Sequence, residues 1–90
     1  MANMILEFRV MPEDGETQYS ELESSVKDVI NNYHESVKVK IIEPQNVGFG
    51  LQAVRVEIEI DENCGSEDLE NKLSELELAG EVNLLKMDRL

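Results

Sequence analysis

Val54-Arg55-Val56-Glu57-Ile58-Glu59-Ile60-Asp61 alternates β-branched apolar and charged residues without a break. Successive side chains of a strand point to opposite faces, so this stretch is a strand with one apolar face and one charged face. Upstream, Val37, Val39 and Ile41 alternate with Lys38, Lys40 and Ile42, a second strand that Glu43-Pro44 is expected to stop. At the beginning of the chain, Met4, Leu6, Phe8 and Val10 alternate with Ile5, Glu7, Arg9 and Met11, up to Pro12 and the turn Glu13-Asp14-Gly15. Between these strands Tyr19, Leu22, Val26, Val29, Ile30 and Tyr33 recur at three- and four-residue steps. That spacing predicts an amphipathic helix of about four turns, capped by Thr17 and ending near Asn31-Asn32. Downstream, Ser66 suits a helix N-cap, Glu67 and Asp68 suit the positive first turn, and Leu69, Leu73 and Leu76 form the apolar stripe. Gly80 is expected to close that region, and Val82 to Met87 reads as a last, mostly apolar strand. The order β-α-β-β-α-β with right-handed crossovers predicts an α+β, ferredoxin-like sandwich: a four-stranded antiparallel sheet with both helices on one face. Residues 1–90 are expected to form one domain.

The bulk properties narrow the function. The 90 residues carry a net charge of −12, with 41% apolar residues in clear periodic patterns, which argues for a packed core rather than disorder. That charge opposes a nucleic-acid backbone as the main partner. The chain contains no apolar run long enough to cross a membrane, and its first residues lack the basic start of a signal peptide. Cys64 is the single cysteine, so no internal disulfide or paired-cysteine metal site can form, and a reducing cytoplasm is the expected location. The charges are also unevenly placed. Glu67, Asp68, Glu70, Glu75 and Glu77 make the second helix acidic, whereas Arg9, Lys38, Lys40, Arg55, Lys86 and Arg89 lie on strands or at their ends.

Two features point to binding. Gly48-Phe49-Gly50 holds one of only four aromatic residues between neighbours that have no side chain to cover it. Phe49 either folds back over the end of the core or is offered to a partner, since an exposed ring forgoes roughly 1.5–3 kcal/mol of burial. The ending Met87-Asp88-Arg89-Leu90 places a long cation at a strand tip, either frayed into water or reaching for a neighbour. RNA-recognition modules share this fold and a Gly-Phe-Gly core, but Val47, Leu51 and Val54 stand where their basic and stacking residues would be. His34 and Cys64 have no companions of metal-ligand spacing, and Glu57, Glu59 and Asp61 lack the wrapped loop of oxygens that calcium prefers. No nucleophile-and-base set appears, so no enzyme active site and no cofactor or metal is expected. An acylphosphatase-like enzyme would need an arginine in a glycine-rich first loop, which is absent.

Taken together, Pro44 followed by Val47-Gly48-Phe49-Gly50-Leu51, the helix start Gly65-Ser66-Glu67-Asp68-Leu69-Glu70 and the ending Met87 to Leu90 resemble the guanine-nucleotide exchange domain of translation elongation factor 1-beta, in its short archaeal-type form. The resemblance covers essentially the whole chain, with nothing corresponding to the long N-terminal extensions of eukaryotic members. It implies a factor that binds elongation factor 1-alpha and speeds GDP release, with GDP and magnesium held by that GTPase. It further implies that Gly48, Phe49, Gly50, Arg89 and Leu90 bind the partner, with Phe49 inserting into an apolar pocket of the GTPase and Arg89 reaching toward its magnesium and phosphate region. Eukaryotic members usually carry lysine at the position of Arg89. The resemblance implies neither covalent chemistry nor contact with nucleic acid or membrane, and a monomer when free. A competing expectation from the fold is a small-ligand-sensing or oligomerising module whose open sheet pairs with itself.

Overall fold

The computed structural model describes residues 2–89. The alternating segment forms the core of β3 (Gln52–Asp61), with Val54, Val56, Ile58 and Ile60 fully buried. β1 (Asn3–Pro12) lies beside it and buries Met4, Leu6, Phe8 and Val10 on the same face. The two strands pair antiparallel from Asn3 with Asp61 to Val10 with Val54. β2 (Lys38–Asn46) and β4 (Ala79–Arg89) flank them, so the sheet runs β2-β3-β1-β4, all antiparallel. Two helices, α1 (Tyr19–Asn31) and α2 (Glu67–Ser74), cover the apolar face through Leu22, Val26, Ile30, Leu69 and Leu73. This is the expected ferredoxin-like architecture. Each aliphatic side chain fully buried in this layer contributes about 1.5–3 kcal/mol relative to exposure.

Several boundaries differ from the sequence expectation, each for a physical reason. Glu43-Pro44 does not stop β2, which continues to Asn46. β2 is an edge strand, so the missing proline N–H removes no ladder bond that the sheet requires. Thr17 does not cap α1. The cap position is Gln18, which makes no side-chain bond, and Thr17 belongs to the preceding turn, where Asp14 Oδ1 accepts from the Glu16 N–H (2.9 Å), the Thr17 N–H (3.1 Å) and the Thr17 hydroxyl (3.2 Å). Ser66 occupies the cap position of α2 but makes no side-chain cap bond either. That helix ends at Ser74, so Leu76 packs from the following turn. Gly80 lies inside β4 instead of ahead of it. A Cβ there would come within 2.9 Å of the Pro12 carbonyl oxygen, so the close approach of two strands demands glycine.

The alternation in β2 is also reversed partway. Val39 opposes Ile58 and Ile41 opposes Glu57, leaving Lys40 as the extra residue of a bulge. Ile42 therefore takes the inward place opposite Val56, and Ile41 turns to the open face with 37% exposure. Lys40 bonds Glu59 at 3.3 Å, and Asn3 donates to the same carboxylate at 2.8 Å. The Asn3 hydrogen bond and the Lys40 cation hold the Glu59 carboxyl below its ordinary value.

Ile58→Ala should lower the unfolding free energy by about 2–5 kcal/mol, the range for deleting a buried aliphatic group. Ile41→Ala should stay within about 0.5–1 kcal/mol of the parent, because its side chain faces solvent. Denaturant unfolding of both variants tests the bulge directly: equal losses would contradict it.

Candidate functional site

The loop between β2 and β3 is closed by two backbone bonds, Val47 N–H to Leu51 C=O (3.2 Å) and Leu51 N–H to Gly48 C=O (3.0 Å). Within it three consecutive residues have positive φ: Gly48 at 93°, Phe49 at 56° and Gly50 at 75°. Glycine enters this left-handed region at little steric cost, whereas an L-residue with a Cβ pays about 1–2 kcal/mol. No heavy atom lies within 4 Å of a Cβ built on Gly48 or Gly50, so conformation and not space selects glycine there. Phe49 is the one non-glycine described residue with positive φ, and its side chain is fully exposed, at 102% of the reference area. It does not fold back over the core. The reading in which it shields the end of the sheet is therefore excluded, and the ring is held away from the protein by a strained backbone. Leu51 turns the other way, toward the β1–α1 turn, where its Cδ2 lies 3.7 Å from the Cβ position of Gly15.

The other sequence-predicted contact is at the far end. Arg89 closes β4 opposite Met4, the end of the sheet where Asn3 pairs with Asp61. Its side chain is 84% exposed, and its Nε stands 3.8 Å from a Glu62 carboxylate oxygen. Leu90, the other residue expected at that contact, lies outside the described residues. β3 alone spans ten residues. At about 3.4 Å per residue, Phe49 and Arg89 are separated by roughly 30 Å. The fold does not bring the two together; it holds them at opposite ends of a body whose longest dimension is 42 Å.

Beside Arg89 a shallow groove of about 710 Å³ runs between β4 and the start of α2, floored by Met4 and Met87 and walled by Glu62, Glu67 and Asp68. Met87 is 56% exposed there. Sequence reading did not single out this groove, because a bulge in β4, where Glu7 opposes Lys86 and Phe8 opposes Leu84 so that Leu85 is the extra residue, sets the position of Met87 and leaves no mark in the composition. Elsewhere, His34 Nδ1 is taken up by the Ser36 hydroxyl at 2.8 Å, and Tyr33 donates to the Cys64 carbonyl at 3.1 Å. Burial pushes the Tyr33 phenol up, as it does Tyr19. Asp61 accepts from the Asn63 N–H at 2.9 Å at the start of the 3₁₀ turn Glu62–Cys64. Among the described residues no three His, Cys, Asp or Glu side chains are grouped to hold a metal ion. No described helix is long and apolar enough to cross a membrane.

The sandwich thus presents an exposed aromatic ring at one end and an exposed cation at the other. Comparison with known proteins makes the class specific. Residues 5–90 match the family described as the EF-1 guanine nucleotide exchange domain. Elongation factor 1-beta of Thermoplasma volcanium is 32% identical over 84 residues, 92% of each chain. The elongation factor 1-beta of Desulfurococcus amylolyticus is 32% identical over 92 residues, covering 100% of this chain and 99% of that protein. Among solved structures, the ACT domain from a GTP pyrophosphokinase of Chlorobium tepidum superposes with a TM-score of 0.67 at 17% identity, over 92% of this chain and 99% of that one. That likeness shows the shared fold alone. The chain belongs to the EF-1 guanine nucleotide exchange domain family and is a guanine-nucleotide exchange factor of translation elongation.

Because Phe49 pays for its conformation without packing, Phe49→Asn should leave stability unchanged or raise it by up to about 1 kcal/mol, asparagine being tolerated in the left-handed region. Thermal unfolding checks this. A loss of more than about 1 kcal/mol would mean that the ring packs on the domain after all.

Proposed function

We propose that this chain drives GDP from elongation factor 1-alpha by gripping the GTPase at two separated points, with Phe49 as an apolar wedge and Arg89, with Leu90, as the element that disturbs the magnesium and phosphate region. The observation that carries the reading is the tip itself: a fully exposed phenylalanine fixed at φ 56° between two glycines of positive φ. Free protein gains nothing from that arrangement, and burial of the ring in a partner would recover roughly 1.5–3 kcal/mol. Gly48 and Gly50 serve by giving the wedge its backbone path.

The energetics follow from linkage. An exchange factor and GDP that weaken each other's binding to the GTPase do so by the same factor. The binding free energy of the wedge is thereby available to hold the GTPase in a state with a poor magnesium site. Magnesium neutralises charge on the β-phosphate, so its loss speeds GDP departure. Arg89 differs from lysine here. Its planar fork favours two-point contact with a carboxylate, whereas a lysine ammonium acts as a compact point charge. The reading in which Arg89 pairs with acids around the metal therefore suits this chain better than direct replacement of the ion. GTP in excess then fills the vacated site, and no covalent bond is made or broken by the factor. In the same reading residues 1–90 act as one cytoplasmic exchange domain, monomeric when free and without direct contact to nucleic acid.

Release of a fluorescent GDP analogue from elongation factor 1-alpha, chased by excess GTP, tests this. Substoichiometric wild-type domain should accelerate release strongly. Phe49→Ala should reduce exchange efficiency by roughly 10- to 150-fold, corresponding to loss of the ring's burial. Arg89→Ala should lower the saturating rate more than it raises the half-saturating concentration, since its contact is expected to act on the nucleotide-free state. Normal exchange by Phe49→Ala would remove the wedge from the mechanism.

A further inference from the structure

On the face of the sheet away from the helices, the register lines up Glu43, Arg55, Arg9 and Asn83 across all four strands. Arg55 and Arg9 stand directly opposite each other, a pairing of like charges that is unfavourable unless compensated. Arg55 is compensated twice. Its Nε bonds Glu7 at 2.5 Å and its Nη1 bonds Glu43 at 2.6 Å, and these two hydrogen-bonded carboxylates raise its pKa. Lys40 and Lys86, on the same face, have Glu59 and Asp88 at 3.3 and 3.4 Å. Arg9 has no ion-pair partner among the described residues, and its Nε is buried with no acceptor. Its cross-strand neighbour Asn83 buries an unbonded Nδ2, and Gln45, one step nearer the Phe49 loop, buries an unbonded Oε1.

Native proteins rarely leave buried polar atoms unpaired, since each has given up its hydrogen bonds to water without replacing them. Here three of the four such atoms belong to the open face, at the end of the sheet that carries the wedge. The fourth, the Tyr19 hydroxyl, belongs to the helical side. We propose that Arg9, with Asn83 beside it, receives a carboxylate side chain of the GTPase on the open sheet face, so that the interface begun at Phe49 continues across the sheet. This deepens, and rests on, the exchange-factor reading above. A single compact anion is the occupant that fits. Arg9 lacks the carboxylate partner that its neighbours have, and while its Nε is buried, its two Nη groups are not among the buried atoms and suit two-point contact with one. A polyanion is opposed by Glu7, Glu43 and Glu57 on the same face and by the net charge of −12.

The test is calorimetric binding of the domain to nucleotide-free elongation factor 1-alpha at low and moderate salt, with thermal unfolding of each variant alongside. Arg9→Gln should weaken binding at least tenfold and flatten its salt dependence, while the melting temperature holds or rises because the uncompensated cation is gone. Arg9→Lys, which retains the charge and the apolar stem, should still lose about threefold for want of the fork. Lys38→Gln, the same loss of one positive charge at the far end of the same face, should bind within about twofold of wild type. Wild-type affinity in Arg9→Gln, or in Arg9→Lys should Arg9→Gln fail to fold, overturns the proposal, as does an equal loss in Lys38→Gln. Competition by single-stranded RNA, or a dimer of the free chain that Arg9→Gln abolishes, would assign the site a different occupant and also overturn it. Weak binding by Phe49→Ala with normal binding by Arg9→Gln would sink this inference and leave the wedge standing. No binding by the wild-type domain would sink the exchange-factor reading and this occupant with it.

Discussion

Eight consecutive antiparallel pairs between β1 and β3, from Asn3 with Asp61 to Val10 with Val54, form the rigid spine on which everything else depends. Every second residue along both strands is locked into the layer beneath the helices, with Leu6, Phe8, Val10, Val54, Val56, Ile58 and Ile60 showing no exposed area. A slip by one residue would expose that whole set, so the ladder is strongly specified. Because the ladder cannot slip, the β2–β3 loop and the end of β4 are held apart at a fixed span.

The two ends solve different physical problems. At the Phe49 end, three positive φ angles in a row raise the ring away from every neighbour, and the glycines on either side keep the strain confined to one residue. At the Arg89 end, a single long contact to Glu62 leaves the guanidinium mostly in water, able to move at little cost. On the proposed function, the first end is pre-organised for docking and the second is left adaptable. Stability is given up at the wedge, and burial of the spine supplies the reserve that tolerates the loss.

Much of this was legible in the sequence because it depends on local periodicity. The alternation at Val54 to Asp61 and the helical spacing of Leu22, Val26 and Ile30 mark their buried faces directly, and the bare glycines around Phe49 mark its isolation. What was not legible depends on neighbours in space. The bulge at Lys40 reverses the faces of Ile41 and Ile42, and nothing in Lys-Ile-Ile announces it. Pro44 has the chemistry of a strand stop, and only the edge position of β2 lets the strand run through it. Gly80 looked like a helix terminator, whereas the carbonyl of Pro12 is what requires it. The isolation of Arg9 is likewise a property of register, since Glu7 and Glu43 both turn to Arg55.

On the proposed function, Phe49 is exposed in the free domain in order to be buried in the GTPase. A structure of this chain bound to nucleotide-free elongation factor 1-alpha tests it most directly. The Phe49 ring should lie in an apolar pocket of the GTPase with its positive φ retained, and the end of β4 should lie at the nucleotide site. A complex in which Phe49 stays in solvent while GDP release is still accelerated would contradict it.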